Sequence, residues 1–368
     1  MNGRRILIAT LTLVLIAAVL TGVVNAVSSD PTPVRRAELS NVRHYAASQL
    51  PGGTSYAVDG GVLFAAQSDD WTQIATPNNV IVGAVAIDAA NPNTLYIGAA
   101  NEMAIYRSID AGADWMRVPL TADYIGGVTD IAIASTQRLI YVGTDTAGLF
   151  RLRDVGSSVV LGGQLVIDEP VLEVVADSSG SGMAFARTQW NLYRAENFGL
   201  SWVTVDNLLS VPTALAVANT QPATVYVGTV DRGLVMSHDG LTWTTANQGL
   251  GLVPGSRLQV DALAVDPAQP DVLYVATSYL YGTTQLHGTP VGVSMSTNGA
   301  QAWSALPDSA GLAVADLLPV SGATGAILAL TTDSRAPLAL GNAPVAADTT
   351  VSPEAMAASS LPITVPGY

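Results

Sequence analysis

From about residue 40 to residue 342 the chain is written in short runs of alternating apolar and polar residues, each broken within a few positions by Gly, Pro, Asn or Asp. A period of two places alternate side chains on opposite faces of a strand, so this pattern predicts β-structure, with no convincing helical period between Leu39 and Asn342. One unit shows the arrangement. Gly83 to Ile87 reads as a first strand, Asp88 to Asn93 as a turn, Thr94 to Ala99 as a second strand, Ala104 to Ser108 as a third and Trp115 to Val118 as a fourth. The same order returns at Val260 to Val265, the turn Asp266 to Pro270, and Asp271 to Thr277.

Two signatures repeat along this pattern. The second strands read Thr94-Leu-Tyr96-Ile-Gly98, Leu139-Ile-Tyr141-Val-Gly143-Thr144, Thr224-Val-Tyr226-Val-Gly228-Thr229 and Val272-Leu-Tyr274-Val-Ala-Thr277. Tyr56, Tyr96, Tyr141, Ala184, Tyr226, Tyr274 and Leu328 occupy equivalent places, spaced by 40, 45, 43, 42, 48 and 54 residues, which makes seven units. The second signature closes a unit with tryptophan: Ser108-Ile-Asp110-Ala-Gly112-Ala-Asp-Trp115, Ala195-Glu-Asn197-Phe-Gly199-Leu-Ser-Trp202, Ser237-His-Asp239-Gly240-Leu-Thr-Trp243 and Ser296-Thr-Asn298-Gly299-Ala-Gln-Ala-Trp303, with a worn copy at Ser68-Asp-Asp70-Trp71. A four-stranded unit has two apolar faces and cannot stand alone, whereas seven packed around an axis bury those faces against one another and leave only short edges. The expected fold is therefore all-β: a single seven-bladed β-propeller of four-stranded antiparallel blades, at about 40–80, 81–123, 124–163, 164–210, 211–255, 256–310 and 311–342. Six blades with an irregular tail is the structural rival.

The tryptophan motif resembles the Asp-box, or BNR, repeat. The strand pattern is similar to that of sortilin-type and xyloglucanase-type propellers and of photosystem II assembly factors, and the tyrosine strands read as WD40/YVTN-like. The resemblance covers most of residues 40 to 342. It implies that Asp110, Asn197, Asp239 and Asn298 sit in the turn between third and fourth strands, where an Asp or Asn side chain and a small hydroxyl such as Ser108, Ser237 or Ser296 hold the turn. It implies that Gly112, Gly199, Gly240 and Gly299 accept positive φ there, and that Trp115, Trp202, Trp243 and Trp303 wedge between blades. Families with this repeat include hydrolases, receptors and assembly factors, so the likeness bears on fold and leaves activity open.

The ends of the chain are different sequence. In residues 1–29, Arg4 and Arg5 precede an uncharged run from Ile6 to Val24, and Val24-Asn-Ala26 has small residues at a cleavage position. This predicts a signal peptide or a transmembrane anchor helix, and in both cases an extracytoplasmic body, secreted or membrane-anchored. Residues 30–39 read as a linker. Residues 343–368 are rich in Ala, Pro, Ser and Thr and read as a flexible tail, with Leu361 to Val365 as an alternative edge strand.

Composition narrows the chemistry. All fifteen basic residues are arginines, the net charge of the 368 residues is −14, and there is no cysteine. Such a chain is repelled by phosphate backbones, which argues against nucleic acid, and it has no disulfide or thiolate site. His44, His238 and His287 stand in unrelated contexts without zinc spacing, and no cofactor motif occurs. Only six glutamates are present, Asp168 with Glu169 reads as a solvated turn, and no catalytic residue is assigned.

Candidate contacts lie in the turns between second and third strands, on the face opposite the tryptophan motifs. There Asp59, Glu102, Asp145, Trp190, Asp231 with Arg232, and Asp333 with Arg335 form either an acidic ring or ordinary hairpin turns. Trp190 is the one tryptophan of six outside the closing motif, and the sixth unit carries an insertion from Ser278 to Pro290. Trp190, Tyr279, Tyr281, His287, Asp231 and Arg232 are accordingly the candidate ligand or partner contacts. The expected function is a non-catalytic extracytoplasmic propeller that binds a protein partner or supports assembly of a membrane complex. The alternative is a carbohydrate-binding or glycoside-hydrolase-like propeller.

Overall fold

The punctuated alternation folds into seven antiparallel sheets. The computed structural model describes residues 36–341, apart from 51–52, 68–69, 252, 283–285 and 321–324. The leader or anchor, most of the linker and the C-terminal tail lie outside the described residues. Among the described residues no helix is long and apolar enough to cross a membrane.

Blade one holds β1 (Arg36–Ala37), β2 (Val42–Ala46), β3 (Tyr56–Asp59), β4 (Val62–Gln67) and β5 (Asp70–Gln73), in the order β1-β5-β4-β3-β2. Blade two runs β6 (Val82–Ile87), β7 (Leu95–Ala99), β8 (Ala104–Ser108) and β9 (Met116–Pro119). Blade three is β10 (Val128–Ala134), β11 (Leu139–Thr144), β12 (Leu149–Asp154) and β13 (Val159–Leu165). Blade four is β14 (Glu173–Ala176), β15 (Ala184–Arg187), β16 (Leu192–Glu196) and β17 (Ser201–Thr204). Blade five is β18 (Pro212–Ala218), β19 (Thr224–Thr229), β20 (Leu234–Ser237) and β21 (Thr244–Thr245). Blade six is β22 (Arg257–Val265), β23 (Leu273–Tyr281), β24 (His287–Ser296) and β25 (Ser304–Ala305). Blade seven shows three strands among the described residues, β26 (Val314–Pro319), β27 (Ala326–Thr331) and β28 (Leu338–Gly341). Among the described residues helix is limited to two single 3-10 turns, Ser135–Gln137 and Asp206–Leu208. The strand β13 runs past residue 163, so the third blade ends slightly later than its sequence boundary.

First strands pack on first strands of the neighbouring blades, β2 on β6, β6 on β10 and onward to β22 on β26. Seven apolar clusters follow, one at each interface between successive blades. The last closes the ring by setting Leu318 and Leu330 of blade seven against Leu39, Val42 and Ala57 of blade one. Three hydrogen bonds reinforce it: Val42 N to Arg335 O at 3.1 Å, Arg335 Nε to Val42 O at 2.6 Å, and Tyr45 Oη to Pro319 O at 3.1 Å.

Away from the axis, the aromatic residue of one blade's second strand abuts the closing turn of the next. The Tyr141 and Trp202 rings meet edge to face at 5.6 Å, and those of Phe185 and Trp243 at 6.1 Å. A β-carbon built on Gly199 would lie 2.4 Å from the Tyr141 ring, so this close approach, together with a φ of 75°, requires glycine. Tyr226 donates to Gly299 O at 3.3 Å, while the Tyr274 hydroxyl instead accepts at 2.9 Å from Gly325 N, just ahead of the second strand of blade seven. Blade three has no tryptophan turn. There Tyr96 donates to the buried carboxylate of Asp154, and Arg107 Nε lies 2.7 Å from the same oxygen, an ion-pair contact off the hydrogen-bonding direction.

The register corrects one sequence alignment. In blade four Val175 pairs with Phe185 and Glu173 with Arg187, just as Ala216 pairs with Tyr226 and Ala214 with Gly228 in blade five. Phe185, and not Ala184, therefore stands at the tyrosine position, because aromatic character outweighs the even spacing that favoured Ala184.

Three closing turns share one hydrogen-bond pattern. Ser108, Ser237 and Ser296 donate to Asp110, Asp239 and Asn298 at 2.7, 2.9 and 2.8 Å, and each serine oxygen accepts from backbone amides two and three or four residues on. Asn197 departs from this pattern. Its turn has alanine at 195 in place of serine and is closed by backbone bonds, Gly199 N to Glu196 O at 2.9 Å and Leu200 N to Asn197 O at 3.3 Å. Trp303 is buried with its Nε1 donating to Ala246 O of blade five at 2.8 Å, and Trp115 donates to Ala75 O at 2.9 Å. Replacing Trp303 with Ala is expected to cost about 3–5 kcal/mol, whereas Trp190→Ala changes stability by no more than about 0.5 kcal/mol. Urea unfolding of the two variants checks the contrast.

Candidate functional site

Six of the seven first strands break register, five after their first residue, at Arg43, Gly83, Thr129, Thr213 and Ala315, and the longer blade-six strand after its fourth, at Asp261. A bulge bends the strand and re-aims the side chains that follow it. In two blades the bulged residue staples the ring, since Thr129 donates to Val171 O at 2.6 Å and Thr213 to Val260 O at 2.7 Å of the next blade. The residues after the bulge include His44, Asp130 and Asp316, and Glu173 takes the corresponding place in blade four, which has no bulge. All four line a cavity of about 420 Å³ along the axis, with Arg187 beside them.

Asp130 and Glu173 are held by their own and the next blade, and among the described residues Asp316 accepts only from Leu317 N, at 2.8 Å. Asp130 accepts from Val174 N at 2.6 Å and Ile131 N at 2.8 Å, with His44 Nδ1 at 3.8 Å. Glu173 accepts from Arg187 Nε at 2.7 Å and Leu215 N at 3.1 Å. Burial pushes the carboxyls of Asp130 and Asp316 up, with His44 opposing in both. Glu173 is pushed up to about 7 by burial, against the pull of the Arg187 guanidinium and with help from the like charges of Asp130 and Asp316. About a quarter of the Glu173 side chain, 27 %, still meets solvent along the channel, which moderates that push. Sequence reasoning missed this constellation. Its one legible signal is Arg187, which stands where Gly98, Gly143 and Gly228 occur in other second strands.

At the channel mouth a groove of about 450 Å³ runs from blade four to blade seven, lined by Leu172, Trp190, Val211, Val230 and Val314 together with Arg187, Gln259 and Asp261. Trp190 is 60 % exposed and Leu172 43 %. The turn carrying Trp190 is fixed, because Thr188 N donates to Asn191 O at 2.9 Å and the Thr188 hydroxyl accepts from Trp190 N and Asn191 N at 3.3 and 3.0 Å. Asp261 accepts from Gln259 Nε2 and Ser278 Oγ, each at 2.6 Å, and burial raises its pKa.

Trp190 thus lines the groove, whereas Tyr279, Tyr281, His287, Asp231 and Arg232 are not among its lining residues, so the candidate contacts are not gathered into one pocket. Tyr279 and Tyr281 pack on each other at 6.4 Å, half-buried, with the Tyr279 hydroxyl near Gly251. The insertion is a strand extension rather than a loop: β23 and β24 continue through Tyr281 and from His287, and Tyr281 pairs with the exposed His287. Asp231 accepts from Ser210 Oγ, and Arg232 bridges to Leu258. The turn acids serve their own blades. Asp59 accepts from Ser40 N and Asn41 N at 2.7 Å each, Asp145 from Gly127 N at 2.8 Å, and Glu102 pairs with Arg117 at 2.6 Å, so they hold the chain as it enters or crosses each blade.

The fold is that of a seven-bladed β-propeller. No protein-family model and no curated protein sequence matches the chain. Solved structures do. The GH74 xyloglucanase from Xanthomonas campestris is 19 % identical over 81 % of this chain and 52 % of its own, with a TM-score of 0.59. YCF48 bound to D1 peptide is 14 % identical over 85 % and 97 %, also at 0.59. The extracellular domain of the putative hybrid two component system BT4673 from B. thetaiotaomicron is 13 % identical over 83 % and 38 %, at 0.55. The chain spans about half the length of the xyloglucanase it matches, and at these identities the likeness is one of fold alone.

The raised carboxyl of Glu173 sets a pH dependence. Its folded pKa lies above the ordinary glutamate value of 4.5, so its contribution to stability is complete below about 4.5 and is lost as pH climbs toward about 7. The urea midpoint is therefore expected to be higher at about pH 5 than at about pH 8, and Glu173→Gln should flatten this difference. Equal slopes in the two proteins would contradict the assignment.

Proposed function

We propose that this chain is a non-catalytic extracytoplasmic propeller that binds a protein partner at the face carrying Trp190, in support of a membrane complex. The carrying observation is the groove at the channel mouth, where a large aromatic residue stands 60 % exposed on a hydrogen-bonded turn. Exposed tryptophans beside apolar pockets supply a disproportionate share of binding energy at protein interfaces. The titratable groups nearest the axis are already engaged, Asp130 and Glu173 by backbone amides and Glu173 by Arg187 as well. Glycoside hydrolysis needs a pair of carboxylates kept available on either side of the bond, which weighs against that chemistry here. The extracytoplasmic and membrane parts of the reading rest on the Arg4 to Val24 sequence.

Carbohydrate binding is the second reading, favoured by the same exposed indole, which can stack on a sugar ring. A photoreactive residue at position 190 separates the two in membranes of the source organism. A protein adduct is expected at 190 and not at Ile109, an equally exposed site in a closing turn. Xyloglucan oligosaccharides are expected to leave Trp190 fluorescence unchanged. Oligosaccharide-dependent quenching without a protein adduct would reverse the choice.

A further inference from the structure

We infer that the groove beside Trp190 receives a basic segment of the partner, an arginine or lysine whose cationic head meets Asp261 while its stem or an apolar neighbour covers Trp190 and Leu172. The inference rests on the protein-binding reading above.

Of the six bulge residues, Asp261 is the one carboxylate. At the bulge of blades three and five a threonine hydroxyl donates to a backbone carbonyl of the next blade, Val171 O and Val260 O. An ionised Asp261 has no proton to give, so it stands outside that scheme. It is supported instead from its own blade, by Gln259 and Ser278 at 2.6 Å each. Those supports depend on the insertion. The strand β22 is nine residues long against six or seven in blades two, three and five, and Gln259 and Ser278 pair with each other in its extended part. Two donors fill about half of a carboxylate's acceptor positions.

The one arginine in the groove does not pair with Asp261, because the Arg187 Nε is turned to Glu173 at 2.7 Å. The groove therefore pairs an apolar floor with one carboxylate that lacks a cationic partner among its lining residues. A guanidinium or ammonium fits both halves: it makes charge-assisted hydrogen bonds to the carboxylate and is attracted to the face of an indole. Burial that raises the Asp261 pKa also means that an incoming cation meets a poorly screened charge. At longer range the net charge of −14 draws basic segments toward the protein and turns acidic ones away.

Three capped hexapeptides test this on the full chain: Ala-Ala-Leu-Arg-Ala-Ala, the same peptide with citrulline for arginine, and the same with glutamate. The readout is the indole N–H resonance of Trp190, assigned with Trp190→Ala. The arginine peptide is expected to shift this resonance saturably, the citrulline peptide to bind roughly tenfold more weakly, and the glutamate peptide not to bind. D261N should bring the arginine peptide down to the citrulline level, while D114N, which removes the same charge at an exposed closing turn, should leave it unchanged. Equal binding of the glutamate peptide, no effect of D261N, or no shift with any peptide would overturn the inference. If position 190 still cross-links a protein in those cases, the protein-binding reading stands and only the basic chemistry fails. If the arginine peptide binds through Asp261 and no protein adduct forms at 190, the fault lies with the partner reading.

Discussion

The contact on which the structure depends is the one between an aromatic ring in the second strand of a blade and the closing turn of the next. Tyr141 against Gly199 and Trp202, Phe185 against Trp243, and Tyr226 against Gly299 are three versions of the same lock. Each joins the second strand of one blade to the closing turn of the next, so no blade can complete its own core. Burying the two apolar faces of a sheet requires both neighbours, and seven interface clusters result. Where the lock is absent, at blade three, a polar triad of Tyr96, Asp154 and Arg107 occupies the same interface.

Much of this was legible in the chain because the lock is chemically distinctive and recurs. Tyrosine followed by Gly marks the second strand, and Ser-x-Asp with Gly and Trp marks the closing turn. The observed strands of blade two, Val82–Ile87, Leu95–Ala99, Ala104–Ser108 and Met116–Pro119, differ by a residue or so from those read off the pattern. The errors have physical causes. Ala184 matched the average spacing, but pairing of Glu173 with Arg187 places Phe185 at the lock. The sixth-blade insertion looked like a loop because its Gly, Thr and Pro content masks strands that continue as a hairpin.

The channel cluster was not legible at all, for a different reason. His44, Asp130, Glu173 and Asp316 come from four blades, and nothing along the chain links them until the ring closes. Two of them serve the scaffold, because Asp130 and Glu173 also accept amides from the adjoining first strand. The turn acids are engaged in a similar way, which leaves the tip at Trp190 and the carboxylate at Asp261 as departures from the repeat that the scaffold does not itself use up. On the proposed protein-binding reading, recognition falls at places where one blade differs from its sisters.

Backbone hydrogen exchange on the full chain tests that division between scaffold and site most directly. If the locks and the seven interface clusters act together, the amides of the first and second strands in all seven blades share one slow, global exchange free energy, while the Thr188–Asn191 turn and the β23–β24 tip open far more readily. Blades that exchange one after another, with blade seven or blade one opening independently of the rest, would contradict a closed ring held by blade-to-blade locks.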